Sequence, residues 1–206
     1  MKKLVCTFLS VLTAISLVGC ASTEGLRATG ETGGATYATT TQSPTEESKA
    51  DFVEVMREGE TQQIPVVFVD GEVGSYTIAM DPEYFTFLPR ETVDLFSYEE
   101  WPGDGAIYYA ISAYQGEYDA DAFIAECRAQ FESQYESCTT ESTPVGGYEA
   151  TLVTFGGYRD APMFCRHIYL VNCGNVAYVI KAEFTIEMYE GLYAVMRALF
   201  DTFTVK

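Results

Sequence analysis

The stretch that decides the fold of this chain is residues 148–184, YEATLVTFGGYRDAPMFCRHIYLVNCGNVAYVIKAEF. Three runs rich in apolar, β-branched and aromatic residues lie at 148–155, 163–171 and 176–184. They are separated by a Gly-Gly pair at 156–157 and by the NCGN turn at 172–175. Runs of this length between glycine-containing turns are typical of antiparallel strands. The stretch therefore predicts a three-stranded β-meander.

Helices are predicted before and after this meander, one capped by Asp119 and one by Thr185. In both segments apolar residues recur at three- and four-residue steps, as in a helix with one buried face. The two stripes are Phe123, Ile124, Cys127, Phe131 and Tyr135, and then Met188, Leu192, Val195, Met196 and Leu199. Because such stripes must pack on something, the sequence predicts an α+β fold with helices packed on an antiparallel β-sheet.

The segment before the meander is predicted to contain shorter elements. A short helix is predicted over 51–60, and Asp70 and Gly71 are predicted to form a hairpin turn. The predicted strands are 64–69, 73–80, 84–88 and 106–114. We interpret residues 51–206 as one domain, in which 51–80 is an N-terminal extension or hairpin and 81–206 is the core.

The N-terminus has the features of an export signal. Lys2 and Lys3 precede an apolar run at 4–17, which is too short to span a bilayer permanently. The run ends in LVGC at 17–20, and this motif resembles the lipobox of bacterial lipoproteins. The resemblance implies a signal peptide at 1–19 and a diacylglyceryl group on Cys20. Two acyl chains are sufficient for stable membrane anchoring.

An ordinary secretory signal, cleaved after Ala21 or nearby, is the alternative interpretation of this leader. In either case residues 20–50 are rich in Gly, Thr, Ser, Ala and Glu, and they are predicted to form a flexible, disordered linker. A linker of this length has a root-mean-square reach of about 30 Å. A spacer is the simpler interpretation of these residues, and a recruitment motif or glycosylated stalk is the other.

Charge limits the possible partners. The chain has 30 acidic and 12 basic residues, a formal net charge of −18, which becomes more negative once the leader is removed. Such a protein repels nucleic acid and anionic headgroups. Nucleic-acid binding is therefore excluded, and contact with the membrane is expected through the lipid on Cys20.

Four segments carry a resemblance to a known family. They are YFTFLP at 84–89, the helix around 123–131, GYEA at 147–150 and the closing ALFDTF at 198–203. These patterns resemble the PsbP-like group, which includes the extrinsic photosystem protein and many small bacterial lipoproteins. The resemblance covers residues 76–206, and it implies a PsbP-like sandwich that docks on other proteins and has no catalytic residues.

Four cysteines follow the proposed lipidation site: Cys127, Cys138, Cys165 and Cys173. An even number in an oxidising compartment predicts two disulfides, with three possible pairings. Two alternatives stay open. Cys127 lies on an apolar helix face and could be a small buried hydrophobe. A zinc site of four thiolates is disfavoured, because the sequence lacks closely spaced cysteine pairs.

The sequence offers little catalytic or metal-binding chemistry. His167 is the sole histidine, so a nucleophile pair could only be Cys165 with His167. In a strand these side chains share one face about 7 Å apart, too far for direct proton transfer. We therefore interpret His167 as a half-exposed strand residue. Acidic side chains could perform acid–base chemistry or hold Ca²⁺, but no EF-hand motif marks them. They lie at 99–100, at Asp119 and Asp121, at Glu132 and Glu136, and at Asp94.

These observations lead to a functional hypothesis. We expect a non-enzymatic, lipid-anchored protein on the extracytoplasmic face of the cell membrane, without a metal or cofactor, that binds an unidentified envelope protein. Trp101, in a loop-like EEWPG stretch, is a candidate interface residue, although its ring could instead close one end of the core. The alternative is a lipoprotein that binds a small ligand or cation in a cleft between sheet and helices.

Overall fold

A computed structural model describes residues 51–57, 59–98, 107–159 and 163–206, which form two antiparallel β-sheets and two α-helices. This is an α+β fold dominated by sheet, so the predicted fold class is confirmed at that level. The predicted leader, Cys20, the linker at 20–50, the acidic pair at 99–100 and Trp101 lie outside the described residues.

The strands and helices follow the chain in this order: β1 (Asp51–Arg57), β2 (Glu60–Asp70), β3 (Tyr76–Met80), β4 (Phe85–Pro89), β5 (Asp94–Tyr98), β6 (Tyr108–Tyr114), α1 (Ala120–Phe131), β7 (Tyr135–Ser142), β8 (Glu149–Tyr158), β9 (Phe164–Asn172), β10 (Ala177–Thr185), α2 (Ala194–Phe200) and β11 (Thr204–Val205). Short 3₁₀ helices occupy Glu132–Gln134 and Ile186–Met188, and a π-helix occupies Tyr189–Tyr193.

The predicted meander is the centre of the larger sheet, whose strand order is β4-β5-β6-β10-β9-β8-β7. β8, β9 and β10 pair antiparallel in sequence order, as predicted, but the predicted turn at 156–157 is wrong, because both glycines lie within β8. One boundary differs from the prediction. β8 does not stop at Gly156 but continues to Tyr158, because β7 pairs along it, with Ser137 opposite Gly156 and Tyr135 opposite Tyr158.

The two faces of the larger sheet carry separate cores. On one face α1 buries Phe123, Cys127 and Phe131, and the Phe131 ring meets Phe155 edge-on at 5.7 Å. On the other face α2 and the four-stranded sheet β1-β2-β3-β11 enclose a larger cluster that contains Tyr109 and Phe200. Burial of each such aromatic side chain contributes about 1.5–3 kcal/mol. The helices therefore lie on opposite faces, in line with the predicted apolar stripes.

Of the two predicted helix-capping residues, Asp119 caps its helix and Thr185 does not. Asp119 caps α1, since its Oδ1 accepts a hydrogen bond from the Ala122 N–H at 3.0 Å. Thr185 makes no capping bond, and its hydroxyl has no hydrogen-bond partner among the described residues. The Ile186 N–H still donates to Met163 O at 2.6 Å, as a strand residue would, so the chain enters the last helix only through the 3₁₀ and π turns.

The prediction of a helix over 51–60 is wrong. These residues form β1 and the start of β2, which pair antiparallel from Asp51 opposite Val66 to Arg57 opposite Glu60. The Asp70–Gly71 connection does lead into an antiparallel partner, but β3 begins at Tyr76 rather than Val73. Strands β5 and β7 were not predicted at all. β7 begins where the predicted helix was extended to Tyr135.

Candidate functional site

The most distinctive exposed feature of the described residues is an apolar surface beside the last helix, which we call the Tyr189 surface. It consists of Met56, Met163, Ile186 and Tyr189, with exposed fractions between 43% and 64%. Ile186 is joined to Met163 by the backbone hydrogen bond described above, and it lies three residues before Tyr189, one turn of 3₁₀ helix away. Contiguous exposed apolar side chains commonly mark interaction sites.

A shallow cleft of about 520 Å³ extends this surface inward. Its lining comes from the end of the β1–β2 hairpin, the π-helix and the first turns of α2, and consists of Met56, Gly59, Tyr189, Glu190, Tyr193, Ala194 and Arg197. The Arg57 Nε–H donates to Gly191 O at 3.5 Å, a long hydrogen bond that joins the hairpin to the π-helix. π-helical turns occur frequently at functional sites.

The floor of the cleft rests on a buried hydrogen-bond network. The Tyr193 hydroxyl lies 2.7 Å from His167 Nδ1 and also hydrogen-bonds the Tyr169 hydroxyl. Aromatic rings surround this network, with Phe184 and Tyr189 both stacked on Tyr193. The prediction of a half-exposed His167 is therefore wrong, because the imidazole is only 4% exposed. Its side chain positions Tyr193 rather than meeting solvent.

The network is uncharged near neutral pH. Burial lowers the pKa of His167 to about 4, and burial raises the pKa of Tyr169 to about 12. Arg197 also lines the cleft, and its Nη2 donates to Pro144 O and lies 3.1 Å from Asp201 Oδ1. Its buried Nη1 has no hydrogen-bond partner among the described residues. The cleft thus has a neutral aromatic floor, which suits apolar contact, with the charged side chains of Glu190 and Arg197 at its sides.

Stability should depend on pH through His167. The unfolded chain has the ordinary histidine pKa of 6.5, so between pH 6.5 and about 4 it binds more protons than the folded protein. Folded-state stability is therefore expected to fall as pH is lowered from 7 to 5, by about 2 kcal/mol from this group. Urea unfolding of the wild type and of His167→Gln at both pH values checks this. The stability advantage of the wild type should shrink at pH 5, and an unchanged difference would contradict the prediction.

The four described cysteines are all free thiols. Cys127 and Cys138 belong to the core under α1, whereas Cys165 and Cys173 belong to the core on the opposite face of the sheet. Cys165 and Cys173 are also eight residues apart along β9, or about 26 Å in an extended strand. Every complete pairing contains a separated pair, so two disulfides do not fit this fold, and neither does a site of four thiolates.

Cys127 instead matches the interpretation as a small buried hydrophobe. Its side chain packs among Phe123, Phe131 and Phe155, and burial raises its pKa to about 12. Burial also raises the pKa of Cys165, which keeps that thiol protonated beside His167. Neither thiol has the lowered pKa of an activated nucleophile.

Two of the predicted acidic residues have structural roles. Asp119 caps α1, and Asp94 is fully buried, where its Oδ2 accepts bonds from the Glu72 N–H, the Val73 N–H and the Tyr76 hydroxyl at 2.9, 3.1 and 2.6 Å. Within the described ranges, no three His, Cys, Asp or Glu side chains come together as a metal site. The same residues include no helix long and apolar enough to cross a membrane.

The residues that build the cleft were not predicted from the sequence. Met56 was assigned to a helix, and Tyr193 was not singled out from the 15 tyrosines. One signal was available for β1. Phe52, Glu54 and Met56 alternate with Val53 and Val55 before Gly59, which is a strand pattern followed by a turn residue. No local sequence pattern predicts that this strand lies close to Tyr193.

These features define the class of protein: a sheet-dominated α+β domain with an exposed apolar surface beside a shallow cleft. No protein-family model matches the chain, and no curated protein matches it.

Proposed function

We propose that this chain is a lipid-anchored extracytoplasmic protein whose domain binds another protein of the cell envelope through the Tyr189 surface, without catalysing a reaction. The observation that carries the proposal is the exposure of Met56, Met163, Ile186 and Tyr189 on a domain whose other large apolar side chains mostly fill two cores. Leaving these side chains in water loses the transfer free energy that burial against a partner would supply.

The chemistry of the surface suits a protein partner. Tyrosine and methionine are enriched at the centres of protein interfaces, whereas charged residues are depleted there. The four side chains of the Tyr189 surface are uncharged, and Glu190 lies beside them. The partner is expected to present an apolar patch with basic residues around it, since the chain as a whole carries a net charge of −18.

The anchor is supported by the leader alone. Cys20 follows a basic and apolar segment in the lipobox arrangement, and a diacylated cysteine there would hold the domain at the membrane. The linker at 20–50 would let the domain reach a partner about 30 Å from the headgroups. The extracytoplasmic location and the lipid on Cys20 are both part of the proposal.

We also propose that this α+β fold is, more specifically, a PsbP-like fold. It is supported by an antiparallel sheet with packed helices, and by the presence of three of the resembling segments in β4, α1 and α2. The resemblance implies a docking domain without catalysis, which agrees with the role assigned to the Tyr189 surface.

A small apolar ligand in the cleft is the second candidate. The cleft volume of about 520 Å³ lies within the range of small-molecule sites, and Tyr189 and Tyr193 supply aromatic contacts. Intact mass spectrometry of the gently extracted protein distinguishes the candidates. A bound small molecule would favour the ligand, and a stoichiometric second protein would favour docking.

Substitution of Ile186 by aspartate should weaken partner binding. A charge on the Tyr189 surface would have to be desolvated in the complex, so we expect at least about a tenfold loss of affinity, or ~1.4 kcal/mol. The measurement is recovery of the partner with the lipidated protein after detergent extraction. Leu88→Asp on β4 is the matched control, because Leu88 is also exposed and apolar but lies outside this surface. Equal recovery with both variants would contradict the proposal.

A further inference from the structure

β1 is an edge strand whose free side can accept another strand. In the described part of the chain it pairs with β2 and lies at the end of the order β1-β2-β3-β11. Two residues connect Arg57 to Glu60, so this closing pair is hydrogen-bonded, as in a two-residue hairpin. Because hydrogen bonding alternates along a strand, Phe52, Glu54 and Met56 direct their backbone N–H and C=O groups away from β2. We call these backbone groups the β1 edge.

The side chains along this edge protect it only in part, through the one outward-facing charge at Glu54. Natural edge strands commonly carry lysine, proline or inward-pointing charges that prevent pairing with another chain. Here the outer face of β1 carries Phe52 and Met56, which are 56% and 64% exposed, and between them the charged Glu54. A strand of seven residues with such a face favours the addition of another strand.

The sequence of β1 is complementary to itself in one antiparallel register. When two copies are placed with Glu54 at the centre, Phe52 lies opposite Met56 of the second copy and Val53 lies opposite Val55. At the ends of the strand, Asp51 lies opposite Arg57 of the second copy. Apolar residues thus face apolar residues, and opposite charges meet at both ends. The like-charged pair is Glu54 with its own copy, and this side chain is exposed.

The same register also matches the backbone. Partners that share hydrogen bonds in an antiparallel pair must both point toward the shared edge. Centring on Glu54 pairs the outward-pointing residues 52, 54 and 56 with residues 56, 54 and 52 of the second copy. A shift by two residues leaves fewer of these groups paired and brings Asp51 away from Arg57.

We propose that two copies of this chain pair through the β1 edge in this register, forming a two-fold symmetric dimer with one continuous eight-stranded sheet. This inference goes beyond the proposed function, because it names a second copy as the occupant of a different surface. Tyr189, Ile186 and Met163 lie outside the paired strand. Met56 takes part in both surfaces, since it lines the cleft and belongs to β1.

The dimer is expected to be weak in dilute solution and to form when the copies are held close together. One pair of seven-residue strands buries little area compared with a stable interface. If both copies are tethered to one membrane, their effective concentration rises by orders of magnitude, which favours pairing without any further contact.

Cysteine cross-linking of the full-length chain in its native membranes tests the dimer. In Glu54→Cys the two new thiols lie across the two-fold axis about 5.5 Å apart between Cα atoms, within reach of a disulfide. Gln63→Cys is the matched control, because Gln63 is also exposed and is the β2 partner of Glu54. Its two copies would lie three strand spacings apart, about 14 Å, which is beyond that reach.

With diamide as the oxidant, Glu54→Cys should give a covalent dimer on a non-reducing gel at a yield at least tenfold above Gln63→Cys and the wild type. Thiol labelling before oxidation establishes that both new cysteines are accessible. Equal yields from the two variants, or an accessible Glu54→Cys thiol that gives no dimer, would overturn the proposal.

A charge exchange tests the register. In the Glu54→Cys background, Asp51→Arg should reduce the cross-link several-fold, since two guanidinium groups would then face each other at both ends of the paired strands. Adding Arg57→Asp should restore the yield, because opposite charges meet again. Since Arg57 also contacts Gly191, thermal unfolding of each variant checks that the fold is retained. A reduction that the second exchange does not reverse in a folded protein would exclude this register.

Discussion

Replacing Gly146 by alanine is expected to destabilise the domain by more than about 3 kcal/mol. Gly146 lies between β7 and β8 with a φ of +57°, a left-handed conformation that side chains with a Cβ rarely adopt. A Cβ at this position would also collide with the main-chain carbonyl oxygen of Phe203. Phe203 is fully buried between Tyr76 and Tyr178, so the backbone there has little room to move.

Gly147→Ala is the matched control for this prediction. Gly147 has a similar positive φ of +82°, but a Cβ there would meet nothing within 4 Å. Its substitution is expected to cost only the conformational strain, about 1 kcal/mol. Urea unfolding of both variants separates the collision from the strain. If the two substitutions were equally mild, the close packing of the 145–148 turn against Phe203 would be incorrect.

Replacing Asp94 by alanine is expected to lower the free energy of unfolding by about 3 kcal/mol. The fully buried carboxylate of Asp94 is the shared acceptor for Glu72 and Val73 of the β2–β3 loop and for the Tyr76 hydroxyl. The variant leaves the buried Tyr76 hydroxyl and the partly buried Glu72 and Val73 N–H groups without their acceptor. The large effect arises because unsatisfied buried groups lose their hydration without compensation.

Two further variants make the Asp94 prediction specific. Tyr76→Phe removes one of the three donors and should cost about 1 kcal/mol. Asp70→Ala removes an exposed carboxylate that bonds Thr77 and Lys206 and should change stability only slightly. Chemical denaturation of the three variants should rank them in the order Asp94, Tyr76, Asp70. An Asp94→Ala variant as stable as Asp70→Ala would show that the loop does not depend on this carboxylate.

The elements that were predicted correctly are those whose signal is local. β8 to β10 are long runs of strand-forming residues divided by turns, and the buried positions of α1 recur at helical spacing around Phe123, Cys127 and Phe131. Neighbouring residues alone determine such patterns, because side-chain direction repeats every two residues in a strand and every 3.6 in a helix. The tertiary contacts of these segments favour the same strands and helix that the local patterns predict.

β1 shows where local information fails. Phe52, Val55 and Met56 fit the spacing of a helix face, while the alternation of the same stretch fits a strand. A segment this short has no intrinsic preference strong enough to decide. Pairing with β2 over seven residues, and packing of Val55 in the core, make it a strand.

The candidate site was also beyond sequence analysis, because its parts are distant along the chain. Arg57 and Gly191 are 134 residues apart, yet they join the hairpin to the π-helix beside the cleft. His167 and Tyr193 meet only because the π-helix, which carries Tyr193, folds back over the larger sheet. The cysteines illustrate the same limit, since which face of the sheet each occupies is invisible until β7 and β9 are placed.

By itself, the amino-acid sequence determined the net charge, the meander, the stripe of α1 and a leader that predicts lipidation of Cys20, since each depends on composition or on adjacent residues. The tertiary structure alone decided that β1 is an exposed edge strand, that Asp94 and His167 are buried, and that the Tyr189 surface lies open. These properties depend on which distant segments exclude water from one another, and chain closure over more than a hundred residues leaves no trace in a local pattern.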